Sequence, residues 1–146
     1  MSYKTIICGV TGSLHSQKVA LEAAIMAGKA QAGLIYVYVV DLSFLRGGIS
    51  FMTSGSVADS LDRLGEQFLD FADELAKAQG VTARKILRKG LVLDVLIQVV
   101  QEEKADLLVL GHEPRTFFEK ALFKGSVEDH LELLKKQTGA EVIVVR

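Results

Sequence analysis

A chain of 146 residues suits one domain, and folding at that length buries roughly 70% of the unfolded surface. Apolar residues make up 49% and charged residues 24%, so a core needs no metal or disulfide, and a single cysteine, Cys8, excludes an internal disulfide framework. The 17 basic and 18 acidic residues leave a net charge of −1, which excludes the basic excess of a nucleic-acid binder. The chain opens without a basic stretch leading into an apolar one, and no run reaches the roughly 18 apolar residues of a membrane span. A cytoplasmic protein is expected, with neither nucleic acid nor membrane as partner.

In chain order, Lys4 to Val10 is short, apolar and bounded by Gly12, which predicts a buried first strand. Cys8 lies inside it and reads as a reduced, buried small hydrophobe. From Ser13 to Gly33, Val19, Ala20, Ala23, Ala24, Ala27 and Ala30 recur at helical intervals, predicting a helix whose small-residue face packs closely on a sheet. Gly33 is expected to take the left-handed conformation that ends it. Leu34 to Val40 is β-branched and aromatic, a second strand in which Tyr36 and Tyr38 share one face as packing residues.

Between Asp41 and Gly55 the pattern dissolves into Ser, Gly and Arg, with Phe44, Leu45, Ile49, Phe51 and Met52 interspersed. A long loop is expected there, covering a crevice or meeting a partner protein. Ser56-Val57-Ala58-Asp59 has the spacing of a capping box with Asp in place of Glu or Gln. It opens a helix with Val57, Leu61, Leu64, Phe68, Phe71 (or Ala72) and Leu75 inward, closed by Gly80. Val81 to Arg88 alternates weakly among basic residues and reads as an edge strand. Leu91 to Lys104 is a third helix with Val92, Val95, Leu96, Val99 and Val100 inward, and Asp106 to Gly111 is a fourth strand. A loop from His112 to Lys124 follows; Ser126-Val127-Glu128-Asp129 caps a last helix running to Lys136, and Glu141 to Val145 is the last strand.

This alternation predicts an α/β fold: a three-layer, doubly wound, five-stranded parallel sheet with right-handed crossovers and helices on both faces. In strand order 3-2-1-4-5, ligands sit beyond the carboxyl ends of strands one and four. That crevice would be lined by Thr11, Gly12 and Ser13 on one side and Gly111, His112, Glu113 and Pro114 on the other. His112 reads as a hydrogen-bonding residue rather than a catalytic one, because no carboxylate or cysteine is spaced to build a triad or a metal site with it. His15 and His130 are expected to face solvent.

Strand one leading into Val10-Thr11-Gly12-Ser13, the phrase Ala105-Asp106-Leu107-Leu108-Val109-Leu110-Gly111, and Gly125-Ser126-Val127 with Val142-Ile143-Val144-Val145 together resemble the universal stress protein (UspA-like) family. The resemblance covers almost the whole chain and implies one domain over residues 1–146 with the adenine nucleotide alpha hydrolase-like fold. It also implies a stress-response regulatory module, at most a weak ATPase, and a homodimer formed through the last strand, Val142 to Val145. Its ligand would be ATP, with or without magnesium, in a degenerate site made of Thr11, Gly12, Ser13, Val39, Gly111, His112, Gly125, Ser126 and Val127.

The ATP-binding branch of that family carries an aspartate where Thr11 stands and a Gly-x-x-Gly-(nine residues)-Gly-Ser/Thr loop. Here Gly111 matches the first glycine, Pro114 occupies the second position, and the loop to Gly125-Ser126 is one residue longer. Proline has no N–H for a phosphate, so Pro114 removes a donor. The helix beginning near Ser126 keeps a positive N-terminal end, but Glu128 and Asp129 in its first turn already complement that dipole and repel a triphosphate.

Other functions fit less well. A phosphoacceptor domain needs carboxylates where Gly9-Val10-Thr11 ends strand one. A dinucleotide-binding dehydrogenase needs a Gly-x-Gly-x-x-Gly turn there, and Gly9 and Gly12 are too few. A nucleotidyl transferase of related fold needs paired histidines near the first helix, where His15 is solitary. The alternative that remains is a flavodoxin-like FMN-binding electron carrier, with Thr11 to Ser16 as a hydroxyl-rich phosphate loop.

Overall fold

In the computed structural model strand and helix alternate: β1 (Thr5–Gly9), α1 (Leu14–Ala30), β2 (Gly33–Val40), α2 (Ser50–Ala78), β3 (Ala83–Lys89), α3 (Val92–Glu103), β4 (Leu107–Gly111), α4 (Val127–Thr138) and β5 (Glu141–Val145). The structure describes residues 3–40, 50–111 and 127–146, and their side chains except those of 50–59 and 127–130.

The five strands form one sheet in the order β3-β2-β1-β4-β5, and every neighbouring pair is parallel. The expected fold class is therefore the one observed. Its centre is apolar on both faces because helices cover both. On one face Ile6, Cys8, Tyr36 and Val109 meet Val19, Ala20, Ala23 and Ala24 of α1 and Leu69, Ala72 and Ala76 of α2. On the other, Ile7, Val37, Leu108 and Leu110 meet Leu134 of α4 and the five inward α3 residues, Val92, Val95, Leu96, Val99 and Val100. β3 lies at the sheet edge, as its basic sequence predicts.

Three local expectations are corrected. α1 ends at Ala30, and Gln31 rather than Gly33 takes the left-handed turn, at φ 54°. Two bonds offset the strain of a non-glycine residue there: Gln31 N–H to Gly28 O and Ala32 N–H to Ala27 O. Gly33 instead opens β2, its N–H bonded to Lys4 O at 2.8 Å.

α2 starts at Ser50, not Ser56, so the loop expected as far as Gly55 does not extend past residue 49; residues 41–49 lie outside the described residues. Ser54, Gly55 and Ser56 are weak helix formers, yet none is proline, and an established helix propagates through such residues at about 0.5–1 kcal/mol each.

The inward face of α2 is shifted from the expected one, although Phe68, Leu75 and the alternative Ala72 pack inward as expected. Leu64 and Phe71 are 43% exposed, while Leu69, Ala72 and Ala76 are buried. Gly65 explains the shift: a Cβ there would stand 2.6 Å from Leu87 Cδ1 and 2.7 Å from Tyr38 Cδ1. The helix turns Gly65 to the sheet and comes close, and Leu64 and Phe71 splay outward.

Candidate functional site

β1 and β4 run side by side, with Ile6 opposite Leu107, Ile7 opposite Leu108 and Cys8 opposite Val109. Counting on from that register sets Val10 level with Gly111, the last residue of β4. Strand order reverses between these two strands, since β2 and β3 lie on one side and β5 on the other. Their carboxyl ends therefore flank a notch.

The loop leaving β1 is held tightly. Val10 N–H donates to Val37 O at 2.8 Å, which carries β1 one residue beyond its ladder. Ser13 is extended and caps α1, its Oγ accepting from Ser16 N–H at 3.1 Å. Ser16 is 4% exposed, and its Oγ accepts from Thr11 N–H at 2.8 Å. Thr11 Oγ1 and Ser13 Oγ lie 3.3 Å apart. The two serines thus tie the loop to the first turn of α1; one such cap is worth about 1 kcal/mol.

Gly12 sits against α2. A Cβ at this position would come 2.7 Å from Phe68 Cε2, so only glycine lets the loop approach that ring as it stands. Phe68 in turn packs on Tyr38, with ring centroids 5.8 Å apart. Thr11, Gly12, Ser13, Gln17, Phe68 and Phe71 line a cavity of about 40 Å³, room for about one water.

β2 outruns its neighbour. The β1–β2 register ends at Gly9 opposite Val37, while β2 continues to Val40. Backbone groups alternate in direction along a strand, so Val39 turns its N–H and C=O to the same side as Val37, beyond the end of β1. Val40 O points the other way and accepts from Gly90 N–H at 3.0 Å.

Of the expected site residues, Thr11, Gly12 and Ser13 form one continuous loop, Val39 stands at the end of β2, and Gly111 ends β4. Val127 is the first residue of α4. His112, Gly125 and Ser126 lie outside the described residues, as does the wall expected from Glu113 and Pro114.

His15 corrects its expectation. It is half-buried, with Nε2 2.9 Å from Val145 O on β5 rather than turned to solvent. Ser16, Phe68 and His15 have no place among the nucleotide-site residues expected from the sequence, yet they respectively hold the β1–α1 loop, line the cavity and reach β5. Only Ser16 carried a signal, standing three residues after the Ser13 cap.

Burial raises the Cys8 thiol far above its ordinary value, and its Sγ faces Gly9 O and Val19 O. Burial likewise raises the Tyr36 and Tyr38 phenols, and Tyr36 OH donates to Ala20 O at 2.8 Å. None of the three is a nucleophile or base near neutral pH. The charged groups gather instead along β3: Arg84 pairs with Glu103 at 2.7 Å, Arg88 with Glu102 at 2.6 Å, Lys85 with Asp70 at 2.8 Å and Lys89 with Asp62 at 3.1 Å. Among the described residues, no helix is long and apolar enough to cross a membrane.

With this geometry in view, residues 2–146 match the sequence profile of the Universal stress protein family. The chain belongs to that family. A universal stress protein of Methanocaldococcus jannaschii is 28% identical over 144 residues, covering 99% of this chain and 82% of its own length. The universal stress protein UspA of Lactobacillus plantarum has the same fold at a TM-score of 0.79, with 21% identity over 100% of this chain and 99% of its own. A crystal structure of a universal stress protein in complex with cAMP superposes at 0.69, with 24% identity over 100% of this chain and 98% of the other. Family membership gives the flavodoxin-like alternative no support.

Proposed function

We propose that this universal stress protein is a stress-response regulatory module that works by binding an adenine nucleotide across the carboxyl ends of β1 and β4. The observation that carries this reading is the parallel pairing of β1 with β4 where strand order reverses, in a chain that matches the family throughout. The adenine ring lies against the backbone of Val39. Thr11, Gly12, Ser13, Gly111 and His112 flank the sugar and phosphate, and Gly125, Ser126 and Val127 bring the N-terminal end of α4 to the phosphate. The 40 Å³ cavity behind Gly12 is too small for any of these groups, so the ligand rests on the strand ends rather than inside it.

The favoured ligand carries one phosphate. Pro114 offers no N–H, and Glu128 and Asp129 repel added negative charge. Complex formation with cAMP by a family member supports the same preference. Magnesium, which is held mainly by bridging polyphosphates, then adds little. Binding rather than turnover is supported by Cys8, which is buried, and by His15, which is engaged with a carbonyl.

The proposed unit is a homodimer of single-domain protomers that meet through Val142 to Val145. β5 is an edge strand whose residues after Glu141 are all apolar, whereas the opposite edge, β3, carries Arg84, Lys85, Arg88 and Lys89. The deciding experiment identifies small molecules released from freshly purified protein, then titrates AMP, cAMP, ATP with magnesium, and FMN by calorimetry. AMP or cAMP should bind more tightly than ATP, and FMN not at all. Absence of adenine-nucleotide binding, or binding of FMN, overturns the reading.

A further inference from the structure

The first turn of α1 holds two parts of the molecule at once. On one side it is tied to the loop at the notch, through Thr11 N–H to Ser16 Oγ at 2.8 Å and Ser16 N–H to Ser13 Oγ at 3.1 Å. On the other it is tied to the end of β5. His15 Nε2 lies 2.9 Å from Val145 O, and because a carbonyl only accepts, that nitrogen carries the proton. One turn on, Lys18 Nζ donates to Arg146 O at 3.1 Å. Ile143 and Val145 pack against the core cluster on the sheet face that α1 covers.

This arrangement leaves little slack. Ser16 and Val19 are buried under the same turn, and packed interiors transmit displacement rather than absorb it. A ligand that shifts or further restrains Thr11 to Ser13 therefore restrains His15, and His15 in turn holds the carboxyl end of the edge strand. A strand fixed before association loses less freedom when it pairs with a second copy, so the two events strengthen each other.

We propose that His15 couples occupancy of the notch to pairing of the β5 edge, making nucleotide binding and homodimer formation mutually reinforcing. The inference rests on the proposed nucleotide site and β5 dimer. His15 acts as a positioning residue, touching neither the ligand nor the partner in this scheme.

The test measures the dimer dissociation constant of the full chain by sedimentation, with and without saturating AMP. Wild-type protein should dimerise about fivefold or more tightly with AMP; since a dimer holds two sites, AMP affinity per site should rise by the square root of that factor, about twofold, on dimerisation. His15→Ala should bind AMP and still dimerise, but with an AMP effect below about twofold, a loss of coupling within the usual range of such effects. His15→Gln keeps an N–H donor and should restore the coupling, which a merely structural loss would not allow. Unchanged coupling in His15→Ala overturns the inference, as does a wild-type protein that binds AMP and dimerises without linkage. A wild type that binds no AMP or forms no β5 dimer overturns the underlying reading as well. Should His15→Ala fail to fold, deuterium exchange at Val142 to Val145 in the wild type decides: added protection with AMP supports the coupling, and unchanged exchange overturns it.

Discussion

The edge of the Phe68 ring lies 2.7 Å from where a Cβ on Gly12 would stand. A loop leaving β1 and a helix more than fifty residues later thus share one contact that admits no side chain. Gly12→Ala forces the ring or the loop to move, and overpacking of this kind costs about 1–3 kcal/mol. Urea denaturation should show that loss, with nucleotide affinity falling as well because Thr11 and Ser13 flank the displaced residue. Wild-type stability in Gly12→Ala would mean that the ring swings aside freely.

Gly65 makes a second such contact, with two neighbours instead of one. Alanine there gains about 1 kcal/mol of helix propensity but meets Leu87 and Tyr38 at 2.6 and 2.7 Å. The clash outweighs the gain. Gly65→Ala should lower stability by about 1–2 kcal/mol net, where the same change at an exposed helical site would raise it.

Stability should fall at alkaline pH. Burial raises the Cys8 and Tyr36 groups above their ordinary values of 9.0 and 10.0, so the folded state holds these protons more tightly than the unfolded chain. The stabilisation is fully present below those ordinary values and is lost as pH rises beyond them, by about 1.4 kcal/mol per pH unit for each group. Urea midpoints taken between pH 7 and 11 should be level at first and decline from about pH 9. Cys8→Ala should delay the onset of the decline to the tyrosine range.

The β3 edge should be a guard against association more than a source of stability. Its ion pairs are largely solvent-exposed, and such pairs are worth about 0–1 kcal/mol each. Replacing Lys85 and Arg88 with valine should therefore change the urea midpoint little while promoting self-association visible by light scattering. A monodisperse variant would show that the charges do not protect this edge.

Much of this molecule was legible in its pattern. Each apolar run became a strand, and the five inward residues expected of α3 are the five that are buried. The α2 face was legible only in part: Phe68, Ala72 and Leu75 turn inward as expected, but a period of 3.6 gives the width of an apolar stripe and not its centre. Hydrophobicity favours Leu64 and Phe71, whereas close approach to Tyr38 and Leu87 favours Gly65. In the candidate site, Thr11 to Ser13 could be placed because they follow a strand. Phe68 and His15 could not, since their roles depend on where α2 and β5 arrive.

By itself, the sequence determined the strand–helix alternation, the parallel sheet with its basic outer edge and the resemblance to universal stress proteins, because these follow from local period and composition. Only the tertiary structure decided that Gly12 meets Phe68, that Ser16 and Ser13 lock the β1–α1 loop, and that His15 reaches Val145. The physical reason is range: periodicity reports which face of an element is buried, while contacts between elements far apart in the chain are set by packing once the sheet has assembled.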